Sequence, residues 1–405
     1  MIVPVRRPMI YLDYNATTPV DARVLEAMLP YFEGEFGNAS SIHSAGQHAR
    51  AAVDRARESV AALIGASPAE VVFTSGGTEG DNLALFGLVT AIPRAKKHVI
   101  TTAIEHHAVL NACQELERRG VDVTYVSAGS DGVLDPDDVR RAITPDTVLV
   151  SVMHTNNEIG TIQPIEEIGR IAAAADMYFH CDAVQSAGKL PLDVNRLRVD
   201  LLTISAHKIY GSKGVGALYV RPGTPLEPML FGGHHERDRR PGTENVPGIV
   251  GLGKAAELAR THLNEDATRM AALRDRLETA LLDAIPDARV NGERARRVCN
   301  TTNVTFTGAG GEALLIALDL EGLACSTGAA CSSGSVEPSH VLNAIGLSDD
   351  DARSTLRFSL GRGTTRDEID KAIEIIPRVV ERIRSLSPRS HAAVNGEHAR
   401  TAPVR

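Results

Sequence analysis

The feature that most constrains this chain is a series of short apolar segments alternating with helical periodicity between residues 71 and 220. Apolar segments fall at 98–102, 122–126, 147–153, 177–181, 200–205 and 215–220. The run Thr147-Val-Leu-Val-Ser-Val-Met153 has almost nothing to turn toward water, so a strand there must be covered on both faces. Residues 107–119 and 165–175 carry apolar positions at helical spacing. Upstream, Val53, Ala56, Val60, Leu63 and Ile64 form an apolar stripe on a helix over 44–65. That helix leads into a strand, Val71 to Thr74, then Ser75-Gly76-Gly77-Thr78 and a further helix to about Val89. Repeated strand–helix units predict an α/β domain whose central sheet is mostly parallel and flanked by helices.

The pattern changes near residue 250. Residues 252–285 read as one or two helices rich in Ala, Leu, Arg and Glu. A short strand (303–306), a helix (311–320), a Ser/Gly/Ala stretch (325–335), a strand (354–360) and a last helix (366–386) follow. This is a smaller α+β domain. The expected division is a large domain over 18–260 and a small one over 1–17 and 261–388, with 389–405 a disordered tail.

Composition excludes several functions. The chain has no Trp, 4% aromatic residues, a net charge of −8 and a pI near 6.0, which argues against direct nucleic-acid binding. No run approaches the roughly 18 apolar residues of a spanning helix, so no membrane contact is expected. The five cysteines are an odd, thinly spread set without a C-x-x-C pair, which suits reduced thiols in the cytoplasm.

Three strand ends carry residues suited to chemistry. Ser75-Gly-Gly-Thr78 lies between a strand and a helix, where glycines and helix-start N–H groups accept an anion; it also reads as an ordinary turn with Thr78 as an N-cap. Asp182 follows the apolar run ending in Cys181 and suits either a protonated ring nitrogen or a helix N-cap. Lys208, in Ser205-Ala-His-Lys208, also follows a strand; a lone lysine is usually a surface group, yet an amine there can capture an aldehyde. An aldehyde-holding lysine, an acid for the ring nitrogen and a phosphate cup are the set that pyridoxal 5'-phosphate (PLP) requires.

Further stretches stand in one order: Tyr11-Leu-Asp-Tyr-Asn-Ala-Thr-Thr-Pro19, Phe36-Gly-Asn-Ala-Ser40, Phe73-Thr-Ser-Gly-Gly-Thr-Glu79, Glu105-His-His-Ala-Val-Leu110, Met153-His-Thr-Asn-Asn-Glu-Ile-Gly160, Asp182-Ala-Val-Gln185, Ala206-His-Lys-Ile-Tyr-Gly211 and Arg357-Phe-Ser-Leu-Gly-Arg362. With these the chain resembles the NifS/IscS-type cysteine desulfurases, PLP enzymes of fold type I in the class-V aminotransferase superfamily, from Tyr11 to about Pro388. The resemblance implies that Lys208 holds PLP as a Schiff base and Asp182 pairs with its ring nitrogen. It implies that Gln185 and Asn156 bond the phenolic oxygen, and that His106 stacks on the ring and moves protons. Gly77, Thr78, Ser205 and His207 would form the phosphate cup. Thr243 would reach a phosphate across a homodimer interface. Arg357, and with it Asn38, would hold the substrate carboxylate.

Cys331 lies in Ser326-Thr-Gly-Ala-Ala-Cys-Ser-Ser-Gly-Ser335, a small-residue stretch expected to be a mobile loop with no apolar wall for a structural thiol. The resemblance makes Cys331 the nucleophile that takes sulfur from L-cysteine, leaving L-alanine and a persulfide. The sulfur would pass to an iron–sulfur scaffold protein or another acceptor. A transient 2Fe–2S cluster shared with that scaffold would have Cys331 as a ligand through its persulfide. Gly80, Ala329, Asp238 and Pro241 depart from the commoner pattern, Asp238 standing where glycine is frequent. Cys325 reads as a packed thiol or a second sulfur relay. A selenocysteine lyase, another aminotransferase-like PLP enzyme, and a binding module without chemistry remain as alternatives.

Overall fold

The computed structural model describes residues 9–292, 295–327 and 338–386. Its strands are β1 (Ile10–Tyr11), β2 (Val71–Thr74), β3 (His98–Thr102), β4 (Asp122–Val126), β5 (Thr147–Ser151), β6 (Tyr178–Asp182), β7 (Leu201–Ser205), β8 (Gly216–Val220), β9 (Ala288–Val290), β10 (Thr301–Phe306), β11 (Leu323–Ala324) and β12 (Thr355–Ser359). The main sheet has seven strands in the order β2-β8-β7-β6-β5-β3-β4. The four pairings from β7 through to β4 are parallel. Strand β8 is antiparallel to both β7 and β2, so the sheet is mostly parallel, as expected.

Both faces of this sheet are covered. Along β2, Val71 and Phe73 pack in one apolar cluster while Val72 packs in another, as the twofold alternation of a strand requires. Strand β8 divides likewise, with Ala217 and Tyr219 on the first face and Leu218 and Val220 on the second. Full burial of such a side chain is worth about 1.5–3 kcal/mol, which makes this double-sided core the main source of stability.

The helix Ser44–Ile64 starts with the His43 ring accepting from the Gly46 N–H and ends at Gly65, whose φ of 69° suits a left-handed cap. Its Ala56 packs against Gly253 of the helix Val246–Ala284; a Cβ at 253 would lie 2.5 Å from the Ala56 Cα, so only glycine permits this approach. The second helix is one continuous element of 39 residues, where the sequence left open one or two. Its first half packs in the main core through Leu252, Ala255 and Ala259. Its last turns carry Leu277 and Leu281 into a separate core with Val304, Phe306, Leu356 and Phe358. In that smaller region β10 lies between β12 and β9, all antiparallel, under the helices Gly311–Leu320 and Arg366–Leu386.

The sequence did not announce β1, which pairs in parallel with β11. This pairing anchors the segment after it, Leu12 to Ala16, between the two cores. No helix among the described residues is long and apolar enough to cross a membrane.

Candidate active site

Asp182 ends β6 and Ser205 ends the neighbouring parallel strand β7, with Asp182 in register with Thr203. A short helical turn, Ala206–Lys208, continues from β7. The carboxyl ends of parallel strands are where open α/β sheets gather ligands. Here they meet the start of the helix at Gly77, the segment after β1, and Arg357 from β12. The cavity they line has a volume of about 330 Å³. Nine residues expected from the sequence line it: Gly77, Thr78, His106, Asp182, Gln185, Ser205, His207, Lys208 and Arg357.

Lys208 Nζ donates to the backbone oxygens of Asn15, at 2.5 Å, and Ala16, at 2.8 Å. Asp182 is buried, and one oxygen accepts from the Val184 N–H at 2.8 Å. Burial raises its carboxyl to about 6, opposed by the Val184 N–H and the charge of Lys208. Beside it, burial and the Asp182 charge push Asp81 well above the usual range. Glu105 rises to about 8, mainly through burial. His180 bridges Ser151 and Thr203 and lies 3.5 Å from Asp81, but burial lowers it to about 3, so it is neutral and supplies no counter-charge. Burial thus favours the protonated form of Asp81 and Glu105 more than that of Asp182, which leaves Asp182 the readiest of the three to carry the negative charge.

His106 caps the helix His107–Arg118, its Nδ1 accepting from the Ala108 N–H at 3.1 Å. Burial, then the charges of Lys208, His107 and His340, lower it to about 4. A neutral ring whose Nδ1 accepts must carry its proton on Nε2. His207 is also held neutral, mainly by burial, with Nδ1 3.2 Å from Thr17 Oγ1.

Arg357 is 2% exposed. One nitrogen donates to Asp13 at 2.7 Å and another to the Asn157 backbone oxygen at 3.0 Å. Its Nε has no hydrogen-bond partner. A buried guanidinium with an unmet donor beside a cavity suits a carboxylate ligand.

The residues fit PLP. The Ser205 hydroxyl is buried without a partner in a cavity that also holds Thr78, His207 and the Gly77 helix start, which is what a missing phosphate oxygen would leave. A Cβ at Gly77 would lie 3.0 Å from Val184 Cγ2 and narrow this end. Lys208 supplies an amine for an aldehyde, and Asp182 supplies an anion for a protonated ring nitrogen.

Other expected residues lie outside this cavity. Asn156 does not line the cavity: its side-chain oxygen accepts from the Glu158 and Ile159 N–H groups, and its nitrogen donates to Ile104 O at 2.9 Å. Its amide is consumed by its own turn and by Ile104, and the neighbouring Asn157 lines the cavity instead. Asn38 is exposed and accepts from the Ser40 N–H, away from the cavity. Thr243 is exposed and does not line the cavity of its own chain. The segment before it is tied to the phosphate end by the Arg240–Glu79 ion pair at 2.9 Å. Cys331 lies outside the described residues. Cys325 packs in the smaller core, where burial pushes its thiol up, so the packed reading holds. Among the described residues no His/Cys/Asp/Glu group could hold a metal ion.

Sequence reasoning missed Asn15, Asp13, Asp81, Asn157 and Lys189. The first two lie in the quoted stretch Tyr11–Pro19, where the only available signal was the stretch itself. Gly80 now has a physical context: a Cβ there would lie 2.6 Å from Thr203 Cγ2, so a larger residue requires Thr203 to shift.

Comparison with known proteins places this geometry. The aminotransferase class-V family model matches residues 10–372. A cysteine desulfurase of Nostoc sp. is 53% identical over 380 residues, covering 94% of this chain and 95% of the relative. The cysteine desulfurase IscS of Dictyoglomus turgidum is 48% identical over 94% of this chain and 96% of its own length. A solved NifS-like protein superposes with a TM-score of 0.87 at 38% identity, over 92% of this chain and 99% of that one. With these matches spanning both cores and every element that lines the cavity, this chain belongs to the class-V aminotransferase family.

Proposed function

We propose that this chain is a PLP-dependent cysteine desulfurase that removes sulfur from L-cysteine, yields L-alanine and carries the sulfur as a persulfide on Cys331. The observation that carries this reading is the meeting of Lys208, Asp182 and Arg357 in one cavity of about 330 Å³. Lys208 would hold the aldehyde of PLP, Asp182 its ring nitrogen, Gln185 its ring oxygen, and Gly77, Thr78, Ser205 and His207 its phosphate. Bound there, PLP supplies an electron sink that makes the substrate Cα–H acidic.

The chain's own groups do the rest. Arg357 binds the substrate carboxylate and fixes which bond lies over the cavity floor. The Lys208 amine, released when substrate takes its place, accepts the Cα proton. His106, neutral with a proton on Nε2, moves protons near the substrate thiol. The Cys331 thiolate attacks the substrate sulfur: a sulfur–sulfur bond forms, the carbon–sulfur bond breaks, and its electron pair stays with carbon. Protonation of that carbon leads to alanine. The persulfide sulfur then passes to an acceptor thiol.

The finer assignments belong to the same proposal. The chain acts in the cytoplasm as a homodimer in which the exposed Thr243 reaches the partner's phosphate site. The sulfur acceptor is an iron–sulfur scaffold protein or another sulfur carrier, with Cys331 contributing to a transient 2Fe–2S cluster. Residues 18–260 act as the large domain and residues 1–17 with 261–388 as the small one, joined by the helix that runs through residue 260. The test is alanine and sulfide release from L-cysteine with a reductant present. Stoichiometric release is expected, with loss on Lys208→Ala and on Cys331→Ala. Full activity in Cys331→Ala would remove the nucleophile assignment, and a wild-type protein that borohydride cannot fix to PLP would remove the whole reading.

A further inference from the structure

Three segments converge behind the cavity on a second lysine. Lys189 is 9% exposed, and its Nζ lies 2.9 Å from Gln185 Oε1 and 3.4 Å from Asn15 Oδ1. Gln185 Nε2 donates to the Asn15 backbone oxygen at 3.0 Å, the same oxygen that accepts from Lys208 Nζ. Asn15 Oδ1 also accepts from Asn300 at 3.1 Å. A lysine placed here has given up water for two amide oxygens, and an ordinary surface lysine would not do so.

The donor inventory fixes the orientation of Gln185. An ammonium only donates, so the end of the amide facing Lys189 must be the oxygen. A backbone carbonyl only accepts, so the end facing Asn15 must be the nitrogen. The two constraints agree. The amide oxygen is engaged by Lys189, and one of the two N–H bonds by Asn15. Only the second N–H remains to face a ligand in the cavity.

We propose that Lys189 is a positioning residue that locks Gln185 as a hydrogen-bond donor toward the cavity, so that the site selects a cofactor ring oxygen in its anionic form. This deepens the reading of the site given above and rests on it. In its protonated form Lys189 also brings charge. Burial lowers it to about 7, with Lys208 and Arg357 lowering it further and Cys299 opposing them. A buried positive charge near the ring oxygen and the Lys208 linkage favours the unprotonated linkage, and so does a donor held on the oxygen.

Removing Lys189 has a defined sign. Without it the Gln185 oxygen loses its donor, the amide is held by the Asn15 carbonyl alone, and the positive charge is gone. Each change makes protonation of the cofactor linkage easier. The experiment is a pH titration of the cofactor's visible absorption band, without substrate, in PLP-loaded wild type, Lys189→Met, Lys189→Gln and Lys189→Arg, with a thermal midpoint on each sample. Lys189→Met is expected to move the titration midpoint upward by about one pH unit, a tenfold change in the proton equilibrium. It is also expected to lower kcat more than it alters KM. Lys189→Arg, which keeps a charge and a donor, is expected to return the midpoint toward wild type. If Lys189→Met does not fold, Lys189→Gln decides, since it is also neutral, and its midpoint must lie above wild type. An unchanged midpoint in a folded, PLP-loaded neutral variant overturns the proposal. Borohydride fixation of PLP to Lys208 in wild type keeps the two readings apart: its failure removes the cofactor assignment, whereas success with an unshifted variant removes only the role of Lys189.

Discussion

Ser205→Ala separates a phosphate-binding hydroxyl from a structural one, because the two roles predict opposite signs. In the protein without PLP, the Ser205 hydroxyl is buried and has no partner. An unmet buried polar group costs about 1–3 kcal/mol, so its removal should leave stability unchanged or raise it by about 1 kcal/mol. With PLP bound, the same hydroxyl would donate to a charged phosphate oxygen, a bond worth about 1.5–3 kcal/mol. Its loss should therefore weaken PLP binding by roughly 10- to 150-fold. Urea unfolding of the PLP-free protein gives the first quantity, read as a midpoint shift at constant m. The chain has no Trp, so the second is best read from cofactor absorbance in a PLP titration. A PLP-free variant that is less stable by 1 kcal/mol or so, with PLP affinity unchanged, would refute the assignment of this end of the cavity to phosphate.

Other consequences follow from the geometry. Asp182 has its carboxyl raised to about 6, so its anion is lost as pH falls through that value; PLP uptake should decline there, and equilibrium dialysis showing flat uptake across the range would contradict it. Glu236→Ala strips the buried Arg57 of a two-point ion pair and the Phe73 N–H of its acceptor. Breaking such a pair costs about 3–5 kcal/mol, measurable by denaturant unfolding. Asp238 has a φ of 65°, next to Glu236 at 45° and Arg237 at 58°, a left-handed run that disfavours side chains. Asp238→Gly should therefore raise stability by about 0.5–1 kcal/mol, less whatever the exposed His234–Asp238 pair contributes. Unaltered or lower stability would show that this pair and its neighbours outweigh the strain.

Much of this architecture was legible because its signals are local. Strands such as β5 and β7 are continuous apolar runs, and the helix Arg366–Leu386 carries Ile369, Ala372, Ile376, Val379 and Val380 at helical spacing. Two-residue strands such as β1 carry no such signal; β1 exists because β11, more than 300 residues away, offers a partner. The site divides in the same way. Lys208 and Asp182 could be read because each follows an apolar strand whose end the sheet topology places at the ligand edge. Asn156 and Asn157 are identical residues side by side, and only the turn decides which amide is consumed by backbone N–H groups. Lys189 has no local mark at all. Its burial comes from the convergence of residues near 15, 185 and 300, a tertiary fact.

A glycine at position 238 would suit this backbone, which turns left-handed at that point. The segment is nevertheless held, by Arg57 from one side and by the Arg240–Glu79 pair beside the phosphate end.

In the proposed reaction, sulfur leaves L-cysteine on Cys331 through a cofactor held by Lys208. The most direct measurement is mass mapping of the PLP-loaded protein after reaction with L-cysteine and no reductant, with alkylation before digestion. One additional sulfur atom is expected on the peptide containing Cys331, released with reductant, and absent in Lys208→Ala. Additional sulfur found only on Cys299 or Cys325, or alanine formed at full rate with Cys331 unmodified, would contradict it.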